Sequence, residues 1–227
     1  MFMWKNLINL FKRDNLYMQA LEESYTMLDL DFQMFEASVQ SLRKTDNSDI
    51  GIDIYAMDKE INRFERDVRK KVMTHLAISG PANLTSGLVL VSVVIDIERI
   101  GDYAKNIYDL ARMHPARLNG KNLESDLQII ETGVTKLFKE TVEAFKTSDV
   151  EMSRQIMNNY KTSLAMACEG IITRIVKGEI TDLSSSDAAA IVLYARYLKR
   201  IAGHSRNIIT GVVNPFHRIG YKEKKNA

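Results

Sequence analysis

One cysteine, Cys168, three prolines and eleven glycines are all that the 227 residues contain of these types. A lone cysteine excludes an intramolecular disulfide framework and a thiolate zinc site, and it fits a reducing compartment. So little glycine and proline, well below average usage, leaves too few turns for a sandwich, a barrel or a doubly wound sheet. An excess of one charge is missing as well. The 31 basic and 29 acidic side chains leave +2, too balanced for a dedicated nucleic-acid binder. No stretch reaches the 18 or more apolar residues of a membrane span; the longest apolar run, 88–95, is interrupted by Ser92 and stops at Asp96. The four histidines share no spacing of three or four that would pair them on a helix for zinc. Phosphate-binding glycine loops, nucleophile elbows and HExxH are absent too. Nothing in the chain asks to be an enzyme.

What is present is helical periodicity. Leu21, Tyr25, Leu28, Phe32, Phe35, Val39 and Leu42 alternate spacings of four and three, the seam of a bundle. A turn, TDNSDIG, spans 45–51. Ile54, Met57, Ile61, Phe64, Val68, Val72 and His75 make a second amphipathic stretch, stopped at Gly80-Pro81. A third helix is expected from about Ala82 to Met113 and, being apolar nearly all round from Leu88 to Ile97, should be the buried member of its group. Leu123, Leu127, Ile130, Val134 and Leu137 open a fourth. Asp149 is placed to cap a fifth, ending near Gly178, and the run SSSD at 184–187 resembles a capping box before a sixth, which stops at Asn214-Pro215. Helices of some 30 residues, about 45 Å long, must pack antiparallel. The expectation is an all-α chain of two tandem antiparallel three-helix bundles.

An internal repeat supports that grouping. Shifted by 101 positions, IERIGDYAKNIY at 97–108 lies on LKRIAGHSRNII at 198–209, so that Arg99 meets Arg200, Ile100 Ile201, Asn106 Asn207 and Ile107 Ile208. Pro115 and Pro215 follow at similar distances. Two copies of one unit related by a pseudo-two-fold axis would explain this. The divisions drawn are an arm over 1–14, repeats over 15–116 and 120–216, and a basic tail over 217–227. The arm, MFMWKNLINLFKR, has no small-residue cleavage site and is not read as a signal peptide. On a helical wheel Met3, Trp4, Leu7, Ile8, Leu10 and Phe11 oppose Lys5, Asn6, Asn9, Lys12 and Arg13. Such an arm suits docking on its own protein or a partner, and equally a membrane interface.

The chemistry concentrates in Asp96-Ile97-Glu98-Arg99-Ile100-Gly101-Asp102. Glu98 and Asp102, four apart, share one helix face and repel each other by a few tenths of a kcal/mol unless something positive compensates. Oxygen donors held together suit a hard or borderline cation such as Mg, Mn, Fe or Ca. The plainer alternative is ion pairing of Glu98 with Arg99 or Lys105, and of Asp102 with Lys105. Spacing alone leaves both open. Cys168 and the eleven methionines read as core.

At these residues the chain resembles the PhoU family of regulators of phosphate uptake. IERIGDYAKNI at 97–107 is similar to the family's LERIGDxAxNI stretch with its E(D)xxxD motif, and YAMDKEINRFERDV at 55–68 is similar to its second helix. The resemblance implies two three-helix units and a non-enzymatic cytoplasmic protein. Such a protein restrains uptake and starvation signalling through a phosphate transporter and a sensor histidine kinase when phosphate is plentiful. It also implies a divalent metal (Fe, Zn, Mn or Mg) on Glu98 and Asp102, with Asp58 of the neighbouring helix contributing. A homodimer and peripheral contact with the inner membrane face are further expectations; nucleic acid is not.

The second repeat departs from that pattern. Lys199 and Gly203 stand where the family has carboxylates, and Lys161 stands at the position matching Asp58. A metal would therefore be held in the first repeat only. Alternative roles are an accessory to a sodium-coupled phosphate transporter, with the arm at the membrane, and a metal-free helical adaptor. A ferritin-like redox centre would need Glu-x-x-His motifs, and none is present.

Overall fold

Along α-helical stretches 90–107 and 191–208, six positions paired by the 101-residue offset are buried in both copies. Leu90 and Ile191, Val93 and Tyr194, Ile97 and Leu198, Ile100 and Ile201, Ala104 and Ser205, and Ile107 and Ile208 are all fully enclosed. A computed structural model describes residues 16–46, 50–79, 83–159 and 163–223. Within them the chain forms α1 (Leu16–Lys44), α2 (Ile54–Ser79), α3 (Leu84–Met113), α4 (Glu124–Thr147), α5 (Val150–Asn159), α6 (Ser163–Val176) and α7 (Ser185–Val213). Short 3-10 turns, Lys121–Leu123 and Phe216–Arg218, precede α4 and follow α7. Among the described residues there is no strand.

Helices α1, α2 and α3 pack on one another, and α4, α5 and α6 pack around α7. The chain is thus an all-α bundle in two groups, α5 and α6 together standing where one helix was expected, and α3 and α7 are the helices most enclosed by apolar residues. Burying one such isoleucine or leucine contributes roughly 1.5–3 kcal/mol, which is why these positions must stay apolar in both repeats. The seam of α1 divides by depth. Leu21, Leu28, Phe35 and Leu42 are fully buried, whereas Tyr25 and Phe32 turn toward α4 and meet Phe145 and Phe138 edge-on at 5.6 and 5.3 Å.

The repeats join chiefly through α3 and α7. The Asp96 carboxylate lies 2.7 Å from His204 Nδ1 and accepts from Asn207 Nδ2 at 3.0 Å. Moved by 101 positions, the same contact becomes Tyr197 against Tyr103, whose rings lie 6.0 Å apart. Tyr103 also stacks on its own repeat mate His204 at 5.8 Å. Reciprocal contacts of this kind are the mark of a two-fold relation. A second junction is buried: Arg43 from the end of α1 pairs with Glu131 and Glu124 of α4 and donates to the Leu118 carbonyl. Enclosing that guanidinium is tolerable because its donors are matched by oxygens.

Local signals hold where they were read. Ser184 caps α7, its hydroxyl accepting from Asp187 N at 3.0 Å and donating to Asp187 Oδ2 at 2.7 Å. Asp149 caps α5 through Met152 N at 3.0 Å. The helix expected from Asp149 to near Gly178 is described in two stretches, α5 and α6, residues 160–162 between them lying outside the described residues. The apolar period runs through both, by way of Ile156, Leu164, Cys168 and Ile171. The N-terminal arm, Pro81, Lys161 and residues 224–227 lie outside the described residues.

Candidate functional site

Glu98 and Asp102 sit one turn apart on the outward side of α3, and α2 brings Asp58 to them across the helix pair. The structure does gather the three carboxylates anticipated from the sequence, with side chains only 14%, 27% and 15% exposed. It also shows what stands between them. Lys105 Nζ donates to Asp58 Oδ1 at 2.6 Å and reaches Asp102 Oδ1 at 3.4 Å. Arg99 lies 2.9 Å from Asp102 Oδ2 and 3.5 Å from Glu98 Oε2. Asn62 adds a long contact to Asp58 Oδ2 at 3.4 Å. The ion-paired arrangement that spacing alone allowed is therefore formed.

Those pairs do not balance the charge. Burial pushes the Glu98 carboxyl above its ordinary range, Asp102 pushes it further, and Arg99 works in the opposite sense. Burial works against the Lys105 ammonium, yet its bond to Asp58 and the charges of Asp58 and Asp102 hold its pKa above the usual lysine value. Behind this group lies a fourth carboxylate that the sequence reading missed. Asp31, on α1, is wholly buried, and neither of its oxygens has a hydrogen-bond partner. Burial first, then the charges of Glu98, Asp58 and Asp102, hold its carboxyl well above the usual range. A signal was available in the seven-residue line Tyr17, Ser24, Asp31, Ser38, all buried on one face of α1.

Three carboxylates, Asp58, Glu98 and Asp102, thus face two cations in one region with the Asp31 carboxyl behind them, and the donor set is all oxygen. That is the chemistry of a hard or borderline divalent cation rather than of a soft metal. Among the described residues, no three His, Cys, Asp or Glu side chains stand close enough together to hold an ion as they are placed. A cation entering here has to draw Asp58 and Asp102 away from Lys105. Asp31 meets the cost of burial without a partner by keeping its proton, as its raised carboxyl requires.

In the second repeat the equivalent place is built differently. Lys199 reaches across to Glu169 of α6. A side chain at Gly203 would meet nothing within 4 Å, so the open space that a carboxylate would occupy is present and unused. Cys168 is enclosed in α6, its thiol pushed up to about 11 by burial, which keeps it protonated and unreactive at neutral pH.

The comparisons with known proteins follow the same two-part division. The family model described as "PhoU domain" matches twice, over residues 25–111 and 129–212. The phosphate-specific transport system accessory protein PhoU homolog of Pseudomonas aeruginosa is 24% identical over 170 residues, covering 74% of this chain and 70% of the relative. Its counterpart in Pseudomonas putida is 26% identical over 167 residues, covering 71% and 64%. Among solved structures, PhoU from Pseudomonas aeruginosa superposes with a TM-score of 0.72 at 22% identity, over 88% of this chain and 97% of that one. The phosphate transport system regulatory protein PhoU from Streptococcus pneumoniae gives 0.72 at 15% identity, over 86% and 91%. Among the described residues no helix is long and apolar enough to cross a membrane.

Proposed function

The chain belongs to the PhoU family, and from that premise we propose that it is a non-enzymatic regulator of phosphate uptake and phosphate-starvation signalling. It acts by protein contacts with a phosphate transporter, a sensor histidine kinase, or both, from the cytoplasmic side of the membrane. The observation that carries this reading is the double match of the family model, one copy on each three-helix unit. The names of the two Pseudomonas relatives attach the same family to a phosphate-specific transport system. The test is genetic. Removing the gene from its host should raise uptake of labelled phosphate and switch on a starvation reporter while phosphate is plentiful. Unchanged uptake and signalling would overturn the reading. Self-association as a homodimer belongs to the same proposal, and light scattering on the purified protein checks it.

An alternative partner is a sodium-coupled phosphate transporter, reached with the help of the amphipathic residues 1–14. Co-purification with one transporter class or the other separates the two.

The proposal includes a divalent cation, of Fe, Zn, Mn or Mg, held by Glu98, Asp102 and Asp58. The all-oxygen donor set supports it. A bound cation would neutralise this carboxylate group and tie α2 to α3. The competing metal-free adaptor is supported by the Lys105 and Arg99 pairs, and metal content decides between them.

A further inference from the structure

Arg99 and Arg200 are repeat mates set in opposite surroundings. In the first repeat Arg99 lies 2.9 Å from Asp102 Oδ2 and 3.5 Å from Glu98 Oε2. Shifted by 101 positions, those two carboxylates become Gly203 and Lys199, so Arg200 keeps the guanidinium without either partner. No acid stands on α7 after Asp187 to replace them, and Glu169 of α6 is engaged by Lys199. Arg200 and Arg196, one turn before it, are both exposed. Among the described residues neither makes an ion pair or a hydrogen bond, and only the charge of Arg196 is felt, by Glu169. A carboxylate also has room to enter. A methyl group built on Gly203 meets nothing within 4 Å, and Gly203 follows Arg200 by three positions, the spacing at which Asp102 meets Arg99. Leu193, Arg196, Arg200 and Gly203 follow one another at spacings of three, four and three, which sets them on one line of the helix. Leu193, at its start, is an exposed apolar side chain.

We infer that this line of α7 is a docking surface for an acidic segment of a partner protein. One partner carboxylate pairs with Arg200 over Gly203, as Asp102 pairs with Arg99, and Arg196 takes a second. The inference rests on the proposed action through protein contacts and gives that contact its chemistry. A guanidinium suits the task because its planar fork stays charged and matches a carboxylate with two parallel hydrogen bonds. Arg196 and Arg200 are about 6 Å apart along the helix axis, so the fitting partner carries Asp or Glu at four-residue spacing on a helix of its own. The shape favours a protein segment over a lipid surface: Arg200 beside Gly203 repeats, with the carboxylate removed, a contact that this chain forms internally in its first repeat.

The test is fluorescence anisotropy of the full-length protein with a labelled helical peptide bearing glutamates at four-residue intervals, at low ionic strength. The same peptide with glutamines is the control, and circular dichroism of each variant checks the fold. The parent should bind the glutamate peptide and not the glutamine one, and added salt should weaken the binding. Gly203→Asp is the most telling variant, because it supplies from within the carboxylate that the partner brings, with every cation kept. It should weaken binding on the order of 10-fold, as should Arg200→Gln, each removing a charge-assisted pair. Gly203→Ala fills the same space without charge and should bind as the parent does. A parent that binds neither peptide, or both alike, overturns the inference, as do Gly203→Asp and Arg200→Gln proteins that bind as tightly as the parent. Vesicles of phosphatidylglycerol are run in parallel; a parent that sediments with them, ignores the peptide and loses the vesicles in Arg200→Gln makes this a lipid-facing surface and overturns it too. Removal of the gene tests the phosphate reading separately, so a peptide that fails to bind leaves that reading standing.

Discussion

The two repeats present the same helices with opposite chemistry. Around α3, Asp58, Glu98 and Asp102 crowd a half-buried face backed by Asp31; around α7, Lys199 and Gly203 occupy the matching positions and the face is cationic and open. Several enclosed positions barely differ, Ile97 against Leu198 and Ile100 against Ile201. Burial of apolar area holds the bundle and tolerates little change. Exposed and half-exposed positions contribute little to folding, so their chemistry is free to diverge. The packing recurs in both repeats; the cluster of carboxylates does not.

The largest expected effect tests the shared part. Ile100→Ala and Ile201→Ala should each cost about 2–5 kcal/mol in chemical denaturation, with near-equal values. A cost confined to one repeat would show that the second is not held as the first is. The next tests the reciprocal junction. Asp96→Ala strands His204 and Asn207 and should cost about 1–3 kcal/mol. Tyr197→Leu, at the equivalent place, loses only an aromatic contact of about 0.5–1.5 kcal/mol.

Smaller still is the difference between the two lysines. Lys199→Met breaks a partly exposed pair with Glu169 and should cost no more than about 1 kcal/mol. Lys105→Met leaves Asp58 and Asp102 facing each other beside Asp31, so its cost should exceed that of Lys199→Met and shrink when a divalent cation is added. The smallest effect is a slope against pH. The Asp31 carboxyl is raised in the folded protein, so its contribution is present below the unfolded carboxyl value, about 3.9, and is lost as pH rises through the folded value. Glu98, also raised, adds to the same trend. Stability of Asp31→Asn relative to the parent should therefore grow as pH climbs above about 4. A difference that is flat with pH would contradict this reading of Asp31.

Much of this was legible in the sequence because helical bundles write their packing into spacing. The three-and-four pattern from Leu21 to Leu42 and the offset of 101 both report burial, and burial is what the fold obeys. For the site, Glu98 and Asp102 announce themselves by sharing a turn, and Asp58 was reached only through the family resemblance. Asp31 escaped because its neighbours come from other helices. In LDLDF it reads as one more solvated acid beside Asp29, which is in fact exposed and paired with Lys146. Its place in the buried line Tyr17, Ser24, Asp31, Ser38 sets it apart from Asp29, and the approach of α1 to Gly101, 70 positions away in sequence, shows what that line packs against.

The central claim is that one repeat holds a cation and the other cannot. Elemental analysis of protein purified without chelator tests it most directly, on the parent, on Asp102→Asn and on Lys199→Ala. The account predicts divalent metal in the parent, its loss in Asp102→Asn, and an unchanged amount in Lys199→Ala. Parent protein free of metal, or metal retained in Asp102→Asn, would contradict it, and the carboxylates of α3 would then be an ion-paired face served by Lys105 and Arg99.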